Sequence, residues 1–127
     1  KTYKNLRKAI YGFSNHLNKG GVLIIEPWIS KEDYNVGMPH MTTYDRKDIK
    51  IARVNVSKII EDVSILEFNY LVAEKDKEVK YFVDKHELGL FGIEDTLDIM
   101  QEAGLKAIYL KSGLMEHRGV FIGIKET

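Results

Sequence analysis

Asn18-Lys19-Gly20-Gly21-Val22-Leu23-Ile24-Ile25-Glu26-Pro27-Trp28 is the stretch on which the reading of the fold turns. Two glycines follow a helical pattern, and Gly readily takes the left-handed conformation past a helix end. Val22 to Glu26 is then a short, continuous apolar run closed by Pro27. Directly after a helix stop, such a run reads as a strand buried on both faces, the type found in parallel sheets. Upstream, Thr2 can cap a helix in which Leu6, Ala9, Ile10, Phe13 and Leu17 recur on one face. Downstream, Trp28 to Asp48 carries Gly37, Pro39 and many polar residues without a period. It reads as a long loop or lid with a helical turn at 30–34, and loops of that length are often functional.

Period two sets in beyond the lid. Ala52, Val54 and Val56 share one face of a strand, against Arg53, Asn55 and Ser57 on the other. In the next run Leu66, Phe68, Tyr70 and Val72 oppose Glu67 and Asn69. Val79 to Leu88 is a third run, with Tyr81 and Val83 opposed to Phe82 and His86. Glu61-Asp62 and Glu74 to Glu78 supply polar turns, so the pattern predicts a three-strand antiparallel meander. The helical period returns with Ile93, Leu97, Met100 and Ala103, closed by Gly104. Lys106 to Leu110 and Arg118 to Lys125 then read as strands. The expected chain is α/β, with an α+β local order. A helix and strand span 1–29, a lid 30–50, the meander 51–91, and a helix with two strands 92–127.

The 127 residues suit one domain, and a hydrophobic share of 44% is that of a folded globule. Nineteen Lys+Arg balance nineteen Asp+Glu, so there is no basic excess for phosphate-driven nucleic-acid binding. The absence of Cys removes disulfides, thiolate metal sites and a cysteine nucleophile. It fits a reducing compartment, and a cytoplasmic location is expected. The longest aliphatic run is too short to span a bilayer, and the N-terminus lacks the apolar core of a signal peptide. No membrane partner is expected. His16, His40, His86 and His117 are scattered without zinc-binding spacing, so no metal site is expected. The chain opens on Lys1 rather than Met, which predicts a processed or partial chain.

Four segments carry a family resemblance: His16 to Trp28, ending Glu26-Pro27-Trp28; His86-Glu87-Leu88-Gly89-Leu90-Phe91; Gln101-Glu102-Ala103-Gly104-Leu105; and the closing Arg118-Gly119-Val120-Phe121-Ile122-Gly123. Together with the meander, they resemble the C-terminal half of a class I S-adenosylmethionine-dependent methyltransferase. Within that superfamily the chain is similar to the enzymes that N,N-dimethylate nucleotide-linked amino sugars, as in desosamine and mycaminose biosynthesis. It departs from their pattern at Lys19, Ile29 and Met38. The resemblance implies a partial Rossmann-like sheet, strands five to seven, with the antiparallel meander as an insertion. It implies S-adenosylmethionine as cofactor of the full-length protein, and in-line methyl transfer from a sulfonium to a neutral amine. It also implies that the glycine-rich loop, the acidic ribose ligand and a histidine base all lie upstream of Lys1. No catalytic or cofactor-binding residue is therefore expected in this chain. Gly20-Gly21 offers no substitute, because a nucleotide cradle needs the order strand, glycines, helix.

The candidate substrate contacts are Glu26, Trp28, Tyr34, Arg53, Asn55, Asn69 and Arg118. Glu26 and Trp28 stand at a strand's C-terminal end, where open α/β sheets bind ligands. Trp28 can wall a sugar ring and Glu26 can hold the lid or a polar group; the alternative is that Trp28 packs under the loop and Glu26 caps a turn. Arg53, with Asn55 and Asn69, can line a polar cleft and pair with a phosphate. It can also form a cross-strand pair with Glu67. Arg118 suits phosphate recognition or a plain surface position at a strand start. His86 fits a hydrogen-bonded structural role. Tyr34 and Tyr44 either close over substrate or anchor the lid. The second reading is a non-catalytic small-molecule-binding or dimerisation module. The open apolar edge of Val22–Ile25 is a template for another chain, so a homodimer or swapped oligomer is expected. A third is a complete small α+β protein with superficial similarity.

Overall fold

The computed structural model describes residues 1–116 and 118–127, so His117 lies outside the described residues. The elements are α1 (Tyr3–His16), β1 (Val22–Ile25), β2 (Pro39–Asp45), β3 (Ile49–Ile60), β4 (Val63–Glu74), β5 (Lys80–Gly89), α2 (Ile93–Glu102), β6 (Leu105–Leu110) and β7 (Val120–Lys125). They form a mixed α/β chain with two antiparallel sheets, divided into two compact units. Lys1–Tyr34 and Leu90–Thr127 make the first, and Asn35–Gly89 the second.

Thr2 caps α1 as expected: its hydroxyl accepts the Asn5 N–H at 3.2 Å. The first unit's sheet has the order β1-β7-β6. Here the reading of Val22–Ile25 needs correction. Among the described residues β1 pairs only with β7, and antiparallel, with Leu23 opposite Gly123 and Ile25 opposite Phe121. Nor is the strand buried on both faces. Leu23 and Ile25 join Leu105, Ala107, Tyr109 and Phe121 on the face that α1 and α2 cover. Ile10, Ile99 and Met100 close that core from the helix side. Val22 and Ile24 point the other way and remain 52% and 58% exposed, beside exposed Ile108, Leu110 and Ile124.

The α1 stripe also shifts. Phe13 is half exposed, and buried Ser14 takes the inward place instead. Its hydroxyl donates to the Ala103 carbonyl at 2.6 Å and accepts from Lys125 Nζ at 2.6 Å. One small polar side chain thus ties α1, the end of α2 and β7. Tyr3 does similar work at the other end of α1: its hydroxyl donates to Asp95 at 2.7 Å and accepts the Gly92 N–H at 3.0 Å. Where the chain leaves and re-enters this unit, the Lys31 N–H donates to the Phe91 carbonyl at 3.1 Å.

The second unit is a four-stranded sheet, β2-β3-β4-β5, antiparallel throughout. The three-strand expectation misses β2, which occupies 39–45 of the expected lid. The physical reason is visible: β2 is an edge strand that opens on Pro39, and all seven of its residues are exposed. A strand with neither face buried has no hydrophobic alternation to read. The turns fall where the polar runs placed them, with Glu61 and Asp76 at φ 55° and 59°. Register then fixes the faces, because residues directly opposite share one side. Thr42, Arg53, Tyr70 and Phe82 line up on one face; Met41, Val54, Asn69 and Val83 line up on the other.

No helix is long and apolar enough to cross a membrane, and no group of His, Asp and Glu is placed to hold a metal ion among the described residues.

Candidate functional site

Because β1 and β6 both run antiparallel to β7, they point the same way. Their C-terminal ends therefore lie at one end of the first sheet. Glu26 and Trp28 follow β1, Tyr109 is the penultimate residue of β6, Lys111 follows it, and Arg118 stands just before β7. Trp28 and Tyr34 form an aromatic pair, ring centroids 5.5 Å apart and tilted by 55°. A half-buried Trp face next to a Tyr face is a surface on which a sugar ring can lie.

Glu26 is engaged with backbone. One of its carboxylate oxygens accepts the Leu114 N–H at 2.8 Å and the Met115 N–H at 3.1 Å. The turn so held closes on Arg118: the Arg118 N–H donates to the Met115 carbonyl at 3.2 Å, and the Gly113 N–H donates to the Arg118 carbonyl at 2.7 Å. Of the two sequence readings of Glu26, turn cap is the one with contacts. Gly113 has to be glycine, since a Cβ there would stand 2.7 Å from the Arg118 carbonyl oxygen. Gly119 has to be glycine because the Tyr109 ring occupies the space of its Cβ. Arg118 is thus fixed at the backbone on both sides, while its guanidinium has no ion pair among the described residues.

Tyr109 was not anticipated. Its ring packs on Phe121 at 4.8 Å and lines a cavity of about 550 Å³ with Glu32, Asp33, Ile93 and Lys111. Burial pushes the phenol pKa above 10.0, and the charges of Asp33 and Glu32 push it further. The group stays a neutral donor at ordinary pH. Glu32 also caps α2, accepting the Ile93 N–H at 3.1 Å, and Asp33 accepts the Ser30 hydroxyl at 2.7 Å. The signal was available in the sequence only as Gly119, whose need for space points to a bulky neighbour.

The other candidates belong to the second unit. Arg53 and Asn55 share a face with Phe68, Tyr70 and Phe82. The Arg53 guanidinium lies over the Phe68 ring at 4.6 Å, and Tyr70 stacks on Phe82 at 4.8 Å. Arg53 Nε is buried without a hydrogen-bond partner, and Asn55 is buried. A buried guanidinium N–H left unpaired is a donor still awaiting an acceptor. Asn69 does not join them. It lies on the opposite face and accepts the Tyr81 hydroxyl at 2.6 Å. Glu67 is on that opposite face too, so the Arg53–Glu67 pair does not form. His86 meets Asp84 at 2.8 Å and the edge of Phe68, and Tyr44 stands on β2 under Arg46.

A nucleotide cofactor finds no cradle in this set. The Gly20 N–H donates to the Lys125 carbonyl and the Gly21 N–H to the Asn18 carbonyl, both at 2.8 Å. These amides are spent on the fold and lead from a helix into a strand, so Gly20-Gly21 is not a nucleotide cradle.

No family model matches the chain. It is 32% identical over 124 residues to the dTDP-3-amino-3,4,6-trideoxy-alpha-D-glucopyranose N,N-dimethyltransferase of Streptomyces venezuelae, covering 98% of this chain and 52% of that protein. It is 28% identical over 119 residues to the dTDP-3-amino-3,6-dideoxy-alpha-D-glucopyranose N,N-dimethyltransferase of Streptomyces fradiae, covering 94% and 46%. Among solved structures, it matches a SAM-bound amino pentose methyltransferase of Micromonospora echinaspora involved in calicheamicin biosynthesis. The TM-score is 0.89 at 27% identity, over 98% of this chain and 52% of that one. A sugar N-methyltransferase of a Streptoalloteichus species matches with a TM-score of 0.86 at 30% identity, over 99% and 51%. The resemblance to amino-sugar N,N-dimethyltransferases therefore holds along nearly the whole chain. The chain spans about half the length of the curated relatives it matches.

Proposed function

We propose that this chain is the substrate-side, C-terminal half of a Rossmann-like S-adenosylmethionine-dependent methyltransferase that N-methylates a nucleotide-linked amino sugar. The observation that carries the reading is end-to-end similarity to sugar N-methyltransferases, at 27–32% identity and TM-scores of 0.85–0.89. β1, β6 and β7 are then strands five, six and seven of the parent sheet. The bare apolar face of Val22, Ile24 and Ile108 supports this, because sheets with buried strands are covered on both sides.

In this reading the cofactor is held by residues outside the chain, and it supplies an electrophilic methyl group. The chain's own residues bind and orient the acceptor. Trp28 and Tyr34 wall the sugar. In the first unit Arg118 offers guanidinium donors to the diphosphate; in the second, taken by itself, Arg53 with Asn55 on the same strand face offers a donor to an acceptor group. Alignment and exclusion of water do most of the work in such a transfer. The test is methyl transfer by the full-length protein against a panel of nucleotide-linked amino sugars, with unmethylated acceptor in every case refuting the assignment. The 127 residues alone should show no micromolar S-adenosylmethionine binding by calorimetry.

An assembly role is the second reading. Met41, Val54, Leu71, Tyr81 and Val83 stand exposed on one face of the four-stranded sheet, and the β1 edge is unpaired among the described residues. A homodimer or swapped oligomer uses one of these surfaces. A clean monomer by light scattering at high micromolar concentration removes it.

A further inference from the structure

We infer that Glu26 is a positioning residue that acts on the substrate through Arg118 rather than by touching it. The functional part of this rests on the sugar-nucleotide reading above; the structural part does not. Leu114 and Met115, in the turn that precedes β7, are 83% and 52% exposed and so give it little apolar anchorage. The Glu26 carboxylate ties these two residues to the sheet end, one of its oxygens receiving two successive backbone N–H groups. A charged acceptor makes these bonds about twice as strong as neutral ones. From there the path to Arg118 is continuous. The Met115 carbonyl, one residue on, accepts the Arg118 N–H, and the Gly113 N–H grips the Arg118 carbonyl. On the far side Gly119 is pinned under Tyr109. The backbone of Arg118 is therefore set by β1 through Glu26 and by β6 through Tyr109.

This explains why an acidic residue follows β1 at the ligand end while its charge is turned away from any ligand. A carboxylate there would repel a diphosphate. Engaged by two N–H donors, it instead holds the turn that carries the cation able to recognise one.

The experiment uses the full-length protein with Glu26→Ala, Glu26→Gln, Arg118→Ala and the double variant Glu26→Ala/Arg118→Ala. Thermal unfolding confirms first that each is folded, and Glu26→Gln serves if Glu26→Ala is not. Amide hydrogen exchange should accelerate by roughly tenfold or more at Leu114, Met115 and Arg118 in Glu26→Ala, with α2 unchanged. Glu26→Gln keeps an acceptor oxygen and should recover part of the protection. Unaltered exchange at all three amides overturns the inference. Binding of thymidine diphosphate is the second readout. Arg118→Ala and Glu26→Ala should each weaken it, and the double variant should be no weaker than Arg118→Ala. Loss in Arg118→Ala with none in Glu26→Ala, or fully additive losses, overturns the inference. No loss in Arg118→Ala instead overturns the diphosphate role assigned to Arg118 under the proposed function, and the exchange result is read independently of it.

Discussion

The two sheets of this chain solve different problems. The first, β1-β7-β6, has one face packed by two helices and a core built on Ile10, Ile99, Met100, Leu105 and Phe121. The second, β2-β3-β4-β5, has no helix of its own. Three of its four buried residues are polar: Asn55, Ser57 and Ser64, beside Leu66. The first sheet is held by burial and the second by its ladder, its tight turns and cross-strand pairs such as Tyr70 on Phe82. A side chain of the same chemistry should therefore weigh very differently in the two.

Met100→Ala is the strongest test of that contrast. The side chain is fully buried between α2 and the sheet, and its truncation should cost about 2–5 kcal/mol by chemical denaturation. A cost under about 1 kcal/mol would break the contrast by showing that the first sheet does not depend on its helices. Ser14→Ala comes next, at roughly 1–3 kcal/mol, because it removes the short bonds to the Ala103 carbonyl and from Lys125, leaving those two only their long mutual contact of 3.5 Å. Tyr3→Phe should cost about 1 kcal/mol near neutral pH. Burial, chiefly, raises the Tyr3 phenol pKa above 10.0. Its contribution is then complete below the ordinary phenol value and is lost as pH rises through the folded value. Wild type and Tyr3→Phe should therefore converge in stability above pH 10, and a gap that widens there would contradict the assignment. The smallest effect belongs to the second sheet. Leu71→Ala, at a half-exposed position, should shift monomer stability by no more than about 0.5 kcal/mol.

The same contrast decides what could be read from the sequence. Both helices, their Thr2 and Gly104 boundaries and six of the seven strands were legible: most because burial on one side leaves a period, β1 from its apolar run, and β5 from its alternating apolar side chains although its first seven residues are exposed. β2 was not, because an edge strand exposed on both faces leaves none. The pairing of β1 misled for a related reason. An apolar run states that both faces want cover, and here only one is covered by this chain. At the candidate site, the places of Trp28 just past β1 and of Arg118 just before β7 were legible from the words around them. Asn69 was not, since its face depends on the register with β3. Tyr109 was hidden because only the fold brings it over Gly119. The role of Glu26 depended on two backbone N–H groups 88 and 89 residues away, which no local pattern reports.

The bond between the Lys31 N–H and the Phe91 carbonyl has a consequence for how such a molecule can change over time. It joins the two stretches of the first unit between which the 55 residues of Asn35–Gly89 are inserted, so that insertion begins and ends at points already held together. A segment attached in that manner can be lengthened, shortened or exchanged as a cassette, while Ile10 still meets Met100. Selection could then revise the four-stranded sheet without reopening the core.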